Sequence, residues 1–332
     1  MKETMHIVFS PDENYAAPVG VAVWSILQHA ADPGRFHFHF LQGINSLSEG
    51  ARDKLMLVIN QFGAKGDFVI VNSSLVQAYG ELGPEYITAA AYYRLLIPDV
   101  FRELERCLYL DCDVVALGDI AGLWDMAMSE AGISAIVDCY VDRENLQRYN
   151  EVRHYFNSGV LMMNLRRWRE RNYIKQCLSL ARKPELHERF ADQDILNIVF
   201  CEDVHILHPR WNIQTGQKPL FKSGDLQPDL QQWREIRQAP KIAHFTSHKK
   251  PWNMGMKHDW SMEYWKVLEQ TPWGREMRGF GKKMLVAKCF RLKAKLTKLL
   301  RWLLTYRKNS ACGACRISLC GRLIVDRKPQ QP

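Results

Sequence analysis

Short apolar runs recur along the first two-thirds of the chain, and polar or amphipathic segments separate them. A continuous apolar run of four to eight residues is typical of a strand that is covered on both faces. This pattern predicts strands at residues 6–10, 36–41, 67–71, 106–110, 133–138 and 241–245. A further apolar strand follows Asn157-Ser158-Gly159, which we interpret as a turn where the backbone approaches a ligand closely.

Segments with helical periodicity lie between these runs. They predict helices at residues 19–27, 48–62, 89–96, 166–182 and 195–200, with Ser48 as the N-cap of the second and Trp168 on the apolar side of the fourth. Strands that alternate with helices at this spacing predict a largely parallel sheet with helices on both faces. The predicted fold class is therefore α/β.

The segment from Arg275 onward has a different pattern. Apolar side chains recur there at alternating steps of four and three, and Lys and Arg fill the positions between them, which predicts a basic amphipathic helix suited to an anionic membrane surface. The alternative is a helix packed on the body of the protein or on a second subunit. We therefore expect a domain at residues 1–274 and a membrane-associating region at residues 275–332. The apolar positions are Leu285, Cys289, Leu292, Leu296, Leu299 and Leu303.

Charge is distributed unevenly between these two regions. The whole chain has a formal net charge of +9. From Arg275 onward there are 16 Lys+Arg against 2 Asp+Glu, a net charge of +14, which leaves −5 for residues 1–274. This asymmetry argues against a nucleic-acid-binding surface and indicates that the tail has an anionic partner of its own.

The sequence predicts a cytosolic protein. The first apolar run has only the length of a strand and no small-residue cleavage pattern follows it, so we expect no signal peptide. No stretch approaches the roughly 18 apolar residues of a membrane-spanning helix. The nine cysteines lie mostly in apolar runs and are expected to be reduced. Cys312, Cys315 and Cys320 suggest a zinc cluster that lacks a fourth ligand.

Two aspartates, Asp111 and Asp113, follow directly after the predicted strand at residues 106–110. If the strand ends at Leu110, both carboxylates lie at the carboxyl edge of the sheet, where open α/β sheets bind ligands. Carboxylates this close repel each other unless a cation lies between them, and phosphates often complete the coordination of a hard divalent cation. The motif predicts a metal site for a phosphorylated donor, with a solvated Asp-x-Asp turn as the alternative.

The first strand–turn–helix unit lacks the Gly-x-Gly-x-x-Gly loop that lets a backbone cradle a pyrophosphate. A nucleotide bound here needs another counter-charge, such as a metal ion. Asp12 can accept a hydrogen bond from a base, and Tyr15 can stack on one. The alternatives for these two residues are a helix cap and a packing tyrosine.

Further polar residues stand at or near the ends of predicted elements, each with a structural alternative. His244 ends the last strand, and an imidazole together with two carboxylates suits manganese, whereas the alternative is a core histidine. Arg94 either faces phosphates or forms a salt bridge. Lys249 and Lys250 either meet a diphosphate or are a solvated pair, and the alternative role of Asp192 is a helix N-cap.

Together these pieces resemble the retaining glycosyltransferases of family 8, particularly the bacterial lipopolysaccharide galactosyl- and glucosyltransferases. The resemblance extends over residues 5–252 and depends on seven pieces in order. They are Ile7-Val8-Phe9 through Asp12-Glu13-Asn14-Tyr15, Tyr93-Arg94-Leu95, Tyr109-Leu110-Asp111-Cys112-Asp113, Phe156-Asn157-Ser158-Gly159-Val160, Asp192-Gln193-Asp194-Ile195-Leu196-Asn197, Arg210-Trp211-Asn212, and His244-Phe245 through Lys250-Pro251-Trp252.

The resemblance implies a GT-A fold, a UDP-hexose donor and a metal ion. It implies that Asp111, Asp113 and His244 hold Mn²⁺, with Mg²⁺ as the alternative. The chain departs from the family pattern at Thr246-Ser247-His248, where a glycine-rich link is common. The implied donor-binding residues are Ser10, Asp12, Asn14, Tyr15, Arg94, Asp111, Cys112, Asn157, Ser158, Ser247 and Lys250.

The resemblance also implies the reaction, which is the transfer of galactose or glucose to a lipid-linked saccharide such as the lipopolysaccharide core, on the inner face of the cell membrane. Arg94, Asn157, Asp192 and Gln193 are the implied catalytic residues. Breaking the anomeric bond leaves negative charge on UDP, which the metal and Lys250 would stabilise. Retention needs a nucleophile beneath the ring or attack from the face of departure. Gln193 is a poor nucleophile and Asp192 is a chemically better one. We favour same-face attack, with Gln193 and Asp192 stabilising the sugar cation.

Two other functions stay open at the level of the sequence. A haloacid-dehalogenase-type phosphatase also places Asp-x-Asp after an apolar strand, but it would continue with a Gly-Thr-like pair where Val114-Val115 follows here. A non-catalytic membrane-bound sugar-nucleotide binder would have a damaged metal site, whereas both aspartates and the histidine are present.

Overall fold

The computed structural model describes residues 3–71, 92–126, 130–141, 154–182, 192–215, 234–236, 238–246, 248, 250–253 and 260–274. It also describes the backbone of Cys315–Leu319 and Arg322–Arg327. The chain divides into two compact units, Met1–Arg275 and Glu276–Pro332.

Ten strands of the first unit form two sheets. They are β1 (Met5–Phe9), β2 (Phe36–Gln42), β3 (Lys65–Ile70), β4 (Arg106–Leu110), β5 (Val114–Ala116), β6 (Ile133–Val137), β7 (Phe156–Asn164), β8 (Val204–Ile206), β9 (Ile213–Gln214) and β10 (Ile242–His244). The main sheet has the order β3-β2-β1-β4-β7-β6-β8 and the small sheet has the order β5-β10-β9. In the main sheet only β7 is antiparallel to its neighbours, so the predicted mostly parallel α/β sheet is confirmed.

Helices of the described residues pack beside these sheets. They are α1 (Ala16–His29), α2 (Glu49–Gln61), α3 (Ile97–Val100), α4 (Ala121–Asp125), α5 (Leu165–Glu170), α6 (Tyr173–Leu180), α7 (Asp192–Val199) and α8 (Ser261–Leu268). The predicted cap of α2 is confirmed, since the Ser48 Oγ accepts a hydrogen bond from the Ala51 N–H at 3.2 Å. Helix α1 is buried along most of its length, including Val19, Val23 and Ile26, because it packs against β5, α2 and α8.

Two predicted helices differ from the structure. Residues 166–182 were expected to form one helix, but α5 and α6 are separate because Asn172 takes a left-handed conformation with φ 53°. In the predicted helix at 89–96, Tyr92 is helical and Tyr93–Leu96 form a 3₁₀ turn, while residues 89–91 lie outside the described residues. Pro98 lies in the first turn of α3, which follows directly, and it has no N–H to donate to the Arg94 carbonyl four residues back, so one hydrogen bond is missing where the 3₁₀ turn meets α3.

The interpretation of Asn157-Ser158-Gly159 as a turn is wrong. All three residues lie inside β7, which is buried along its whole length. β7 runs antiparallel to both β4 and β6, and hydrogen bonds from both sides hold this polar stretch extended. The local turn signal of Asn, Ser and Gly is therefore overridden by strand pairing.

The small sheet lies directly after the carboxyl end of β4. β10 pairs antiparallel with β5, with His244 opposite Val114, and parallel with β9, with His244 opposite Gln214. This pairing brings residues that are more than 100 positions apart in sequence to one edge of the main sheet.

The second unit is described only by two strands. β11 (Cys315–Leu319) pairs antiparallel with β12 (Arg322–Arg327), a hairpin that the sequence pattern did not predict. The predicted amphipathic helix with Leu285 to Leu303, and the residues Cys312 and Cys320, lie outside the described residues. Within the described ranges no helix is long and apolar enough to cross a membrane.

Candidate active site

Two carboxylates stand at the carboxyl edge of the main sheet. β4 ends at Leu110, as the sequence predicts, and residues 111–113 form the turn that leads into β5. The Asp111 N–H donates to the Gly159 carbonyl at 2.8 Å, which extends the pairing of β4 with β7 by one residue. Asp113 is 7% exposed, so the alternative of a solvated turn does not describe its position.

His244 lies beside both carboxylates because of the small sheet. The Phe245 N–H donates to the Asp113 carbonyl at 3.0 Å, which fixes the end of β10 against the turn. The His244 Nε2 lies 3.1 Å from the Asp113 Oδ1 and 3.6 Å from the Asp111 Oδ2. One ligand atom from each of the three residues falls within 4.8 Å of the others. Two carboxylates and one imidazole are a donor set that fits a borderline divalent cation.

Asn212 orients the histidine ring. The His244 Nδ1–H donates to the Asn212 Oδ1 at 3.0 Å, which directs Nε2 toward the carboxylates. The Asn212 Nδ2 in turn donates to the Asn157 Oδ1 at 2.8 Å. A polar partner on the far nitrogen is typical of a metal-ligating histidine. In the sequence, the only sign that Asn212 could orient His244 was its place in the piece Arg210-Trp211-Asn212.

Gly159 makes room for the two ligands. A Cβ at this position would lie 2.2 Å from the His244 Cε1 and 2.6 Å from the Asp111 Oδ2. No side chain can be added there without displacing the imidazole or the carboxylate. The close approach of the backbone to a ligand stays a prediction; the neighbours of Gly159 that the structure describes are side chains of the site.

Cations balance the two aspartates. The Lys250 Nζ forms an ion pair with the Asp113 Oδ2 and also donates to the Phe245 carbonyl at 2.7 Å. Burial alone would raise the pKa of Asp113, but Lys250 and His244 together hold it well below its usual range. Asp113 is therefore ionised at neutral pH. Lys249, the other half of the predicted pair, lies outside the described residues.

Arg94 connects three parts of the site. Its Nη2 donates to the Asp111 Oδ1 at 2.9 Å, and its Nε lies 3.1 Å from the Asp192 Oδ2. The Nη1 donates to the Ser158 carbonyl at 2.7 Å, and the guanidinium lies 4.4 Å from the centre of the Tyr109 ring. Of the two roles considered for Arg94, the salt bridge is the one that the structure describes.

Asp192 and Gln193 begin helix α7 at the same edge, and both are buried. Burial raises the pKa of Asp192 to about 6 despite the opposing effect of Arg94, with a further rise from Asp111. The Gln193 Oε1 accepts hydrogen bonds from the Asn157 Nδ2 at 3.1 Å and the Ser158 N–H at 3.0 Å. The Gln193 amide is thereby held in one orientation.

Asp138 joins this network, and the sequence analysis missed it. Its Oδ2 accepts from the Gln193 Nε2 at 3.0 Å and from the Asn157 Nδ2 at 3.3 Å, while its Oδ1 accepts from the Tyr140 N–H at 2.8 Å. Burial raises the pKa of this carboxyl. The available signal was its position at the carboxyl end of a predicted strand, the same signal that drew attention to Asp111.

The residues expected at a nucleotide base lie next to the turn of the two aspartates. The Asp12 Oδ1 accepts from the Tyr15 N–H at 3.1 Å, so Asp12 does cap the short helical turn Glu13–Tyr15. The Tyr15 ring meets Trp252 edge-on, with centroids 5.9 Å apart. Burial raises the pKa of Tyr15, and the nearby Asp113 and Cys112 raise it further. Asn14 is exposed.

Ser10, which follows β1, and Cys112, which lies between the two aspartates, are both buried. The Ser10 Oγ is buried, and no hydrogen-bond partner for it is found in the described part of the chain. The Cys112 thiol is buried as well, and burial raises its pKa well above the usual range. An orphaned buried hydroxyl beside the aspartates leaves a polar contact for a bound molecule. Ser247, also expected at the donor, lies outside the described residues.

Three comparisons with known proteins agree on one family. The family model described as glycosyl transferase family 8 matches residues 6–255. General stress protein A of Bacillus subtilis strain 168 is 30% identical over 277 residues, which cover 82% of this chain and 95% of that protein. Lipopolysaccharide 1,2-glucosyltransferase of Escherichia coli is 25% identical, over 82% of this chain and 80% of that protein.

A solved structure has the same fold. The crystal structure of the galactosyltransferase LgtC in complex with donor and acceptor sugar analogs aligns with a TM-score of 0.70 and 25% sequence identity. The alignment covers 83% of this chain and 99% of that one.

Proposed function

The chain belongs to glycosyl transferase family 8, and from that premise we propose that it moves galactose or glucose, with retention, from a UDP-sugar to a lipid-linked saccharide. The observation that carries the proposal is the meeting of Asp111, Asp113 and His244 at one edge of the sheet, beside the buried pair Asp192 and Gln193. The names of the lipopolysaccharide relatives support a hexose as the transferred group and the lipopolysaccharide core as the acceptor.

We assign Asp111, Asp113 and His244 as the ligands of a divalent cation. An imidazole in the set favours Mn²⁺ over Mg²⁺, because Mg²⁺ prefers oxygen ligands and near-ideal octahedral geometry. When bound, the cation supplies Lewis-acid stabilisation of the diphosphate that departs. Asn212 fixes the ring of His244, and Gly159 leaves the space that the ligands need.

The donor nucleotide is proposed to lie along the first turn of the chain. Asp12 and Tyr15 would contact the base, and Asn14 would contact the exposed side of the nucleoside. The Ser10 and Cys112 backbone borders the same place, and the buried Ser10 hydroxyl has hydrogen-bonding capacity to spare. Lys250 pairs with Asp113, which is a proposed metal ligand. Its ammonium group therefore lies beside the metal site, where it would stabilise the negative charge that develops on UDP. Ser247 is assigned here from sequence alone.

The sugar is proposed to lie between Arg94 and the Gln193 network. A retaining transfer has an oxocarbenium-like transition state, and nearby carboxylate and amide oxygens stabilise its positive charge. The Gln193 amide is already held by three hydrogen bonds, and Asp192 is paired with Arg94. Neither side chain is a free nucleophile. We therefore favour same-face attack, with Asp192 and Gln193 stabilising the cation and Asn157 holding Gln193.

The family match over residues 6–255 favours glycosyl transfer over the phosphatase. The complete set of two aspartates and one histidine favours transfer over a non-catalytic binder. The experiment is to incubate the protein with UDP-glucose and UDP-galactose, with Mn²⁺ or with a chelator, and to measure the UDP released. Metal-dependent release from one donor is expected. Absence of metal-dependent turnover with either donor would reject the proposal, and an acceptor screen on truncated lipopolysaccharide then identifies the acceptor.

We also propose that residues 275–332 hold the enzyme on the inner face of the membrane. The support is the charge of this region, 16 Lys+Arg against 2 Asp+Glu, together with the spacing of its leucines. A protein truncated after Trp273 should lose binding to anionic lipid vesicles, while the full chain should bind them in a salt-sensitive way. Unchanged vesicle binding by the truncated protein would assign the region to packing instead.

A further inference from the structure

Three histidines lie together on one face of the main sheet, at the end opposite to the candidate active site. His6 is on β1, and His37 and His39 are on β2. Residues two apart on a strand point to the same face, so His37 and His39 share one. The parallel register places His6 beside His37, and it places Asp67 of β3 beside His39. All four side chains therefore meet near the amino ends of three adjacent strands.

The nitrogen atoms of these rings are close enough to share one ion. The His6 Nδ1 and the His39 Nε2 are 3.0 Å apart, and one nitrogen from each of the three rings lies within 4.8 Å of the others. In a tetrahedral zinc site with Zn–N bonds of roughly 2.0–2.1 Å, two ligand nitrogens are separated by about 3.3 Å. The spacing of His6 and His39 is near that value without any change of the backbone.

Asp67 orients two of the rings. Its Oδ2 accepts a hydrogen bond from the His37 Nε2–H at 2.6 Å, and its Oδ1 accepts one from the His39 Nδ1–H at 3.0 Å. These bonds place the lone pairs on the opposite nitrogens, His37 Nδ1 and His39 Nε2. A carboxylate that holds the far nitrogen of each ligand is the usual support of a histidine metal site.

The surroundings suit a soft or borderline cation. Burial, and then the neighbouring His39 and His37, lower the pKa of His6 to about 4, so its ring is neutral at neutral pH. The His37 side chain is 25% exposed and that of Asp67 41%, so the cluster can be reached from solvent. Three imidazoles favour zinc-class metals, whereas Mn²⁺ and Mg²⁺ prefer oxygen.

We propose that His6, His37 and His39 form a second metal site, which binds Zn²⁺ or a similar divalent transition metal. Asp67 positions the His37 and His39 rings from their far nitrogens, and water would complete the coordination. The ion would connect β1 to β2 and, through Asp67, to β3. This site is independent of glycosyl transfer, because β1 carries His6 at its amino end and meets the candidate active site only beyond its carboxyl end, at Ser10.

The test measures the zinc content of the full-length protein. It uses a variant that lacks one of the three proposed ligands of the active site, so that this site binds less zinc. The Asp113→Asn protein is incubated with excess Zn²⁺, freed of unbound metal by gel filtration and analysed by mass spectrometry for zinc. We expect one zinc ion per chain. Adding His37→Gln should reduce the content at least about tenfold, because a lost ligand removes more affinity than a lost orienting group. Adding His205→Gln, an exposed histidine on β8, should change nothing.

A second variant covers the case in which His37→Gln does not fold. Asp67→Asn changes a half-exposed side chain and keeps its size, and it should weaken zinc binding by about 10–100-fold in a chelator competition. Zinc should also raise the thermal unfolding temperature of the Asp113→Asn protein, and the rise should disappear with His37→Gln. No zinc in the Asp113→Asn protein, or zinc that persists at full content and affinity in both cluster variants, would overturn the proposal.

Discussion

Opposite edges of the main sheet carry two clusters of metal-ligating side chains with different chemistry. At the carboxyl edge, Asp111 pairs with Arg94 and Asp113 pairs with Lys250, and one imidazole completes the set. At the amino edge, His6, His37 and His39 contribute nitrogen alone. The first set suits a cation that must also bind phosphate oxygens, and the second suits a metal that holds strands together.

The difference follows from what lies beyond each strand end. At the carboxyl edge the turn of residues 111–113 and the small sheet bring together charged side chains from distant parts of the chain. At the amino edge the ligands come from within paired strands, and their positions depend only on register. We therefore expect that a mutation in one cluster leaves the function of the other cluster unchanged.

The largest expected effect is on the carboxyl edge. Asp113→Asn removes a ligand charge that also pairs with Lys250, so UDP release from the donor should fall by about 10³-fold. The exposed Asp99→Asn is the matched control and should keep wild-type turnover. If Asp113→Asn turns over normally while folded, Asp113 has no part in the metal site.

Gly159→Ala should be the next most severe change. The added methyl group collides with the His244 ring and the Asp111 carboxylate, and a displacement of about 1 Å at a reacting centre costs about 10²-fold in rate. Turnover is measured at saturating Mn²⁺ so that lost affinity does not mask the effect. Gly50→Ala, where nothing lies within 4 Å of the new methyl group, should behave as wild type.

Asn212→Ala tests the orientation of the imidazole. Without the acceptor at its Nδ1, the His244 ring is free to turn, and the apparent affinity for Mn²⁺ should fall by about 10–100-fold. Asn212→Asp keeps the acceptor oxygen and should restore part of the affinity. Equal Mn²⁺ affinity in the wild type and the Ala variant would show that the hydrogen bond does not matter.

Turnover should depend on pH through Asp192. Its pKa of about 6 lies above that of a free Asp, so the folded protein keeps this proton longer and the carboxylate forms only as the pH rises through about 6. If the carboxylate stabilises the sugar cation, turnover at pH 5 should be about a tenth of that at pH 7. This rise in turnover between pH 5 and pH 7 should be absent from the residual activity of Asp192→Asn. If the pH dependence of turnover is unchanged in that variant, a group other than Asp192 causes it.

The smallest effect is expected for the amino edge. His37→Gln should change UDP release less than about twofold, because a surface-accessible ligand far from the donor affects mainly stability. The same variant loses zinc if the second site exists. A large loss of turnover in a folded His37→Gln protein would show that the two clusters do not act independently.

Much of the main sheet could be predicted from the sequence. The strand Arg106–Leu110 has the predicted bounds, because a buried run this short between polar turns favours a strand over a helix, and the Ser48 cap follows from local hydrogen bonding. The turn expected at Asn157-Ser158-Gly159 was wrong, since pairing with strands on both sides outweighs local preference. The hairpin of β11 and β12 had no signal in the pattern that was considered.

The candidate site was predicted in part. Asp111 and Asp113 stand out because they follow an apolar strand, but the position of His244 beside them depends on the pairing of β10 with β5. The bond from His244 to Asn212 was missed for the same reason, whereas Asp138 was missed although it stands at the carboxyl end of a predicted strand. The alternation of Phe and His in β2 is visible in the sequence, yet its meeting with His6 and Asp67 depends on register between strands.

Binding of Mn²⁺ tests the carboxyl edge most directly. Free Mn²⁺ is measured by electron paramagnetic resonance in titrations of the wild type and of Asp113→Asn, with and without UDP. We expect one Mn²⁺ per wild-type chain, bound more tightly when UDP is present, and loss of this binding in Asp113→Asn. Equal Mn²⁺ binding by the two proteins, with no effect of UDP, would contradict a metal-bridged UDP-sugar site at Asp111, Asp113 and His244.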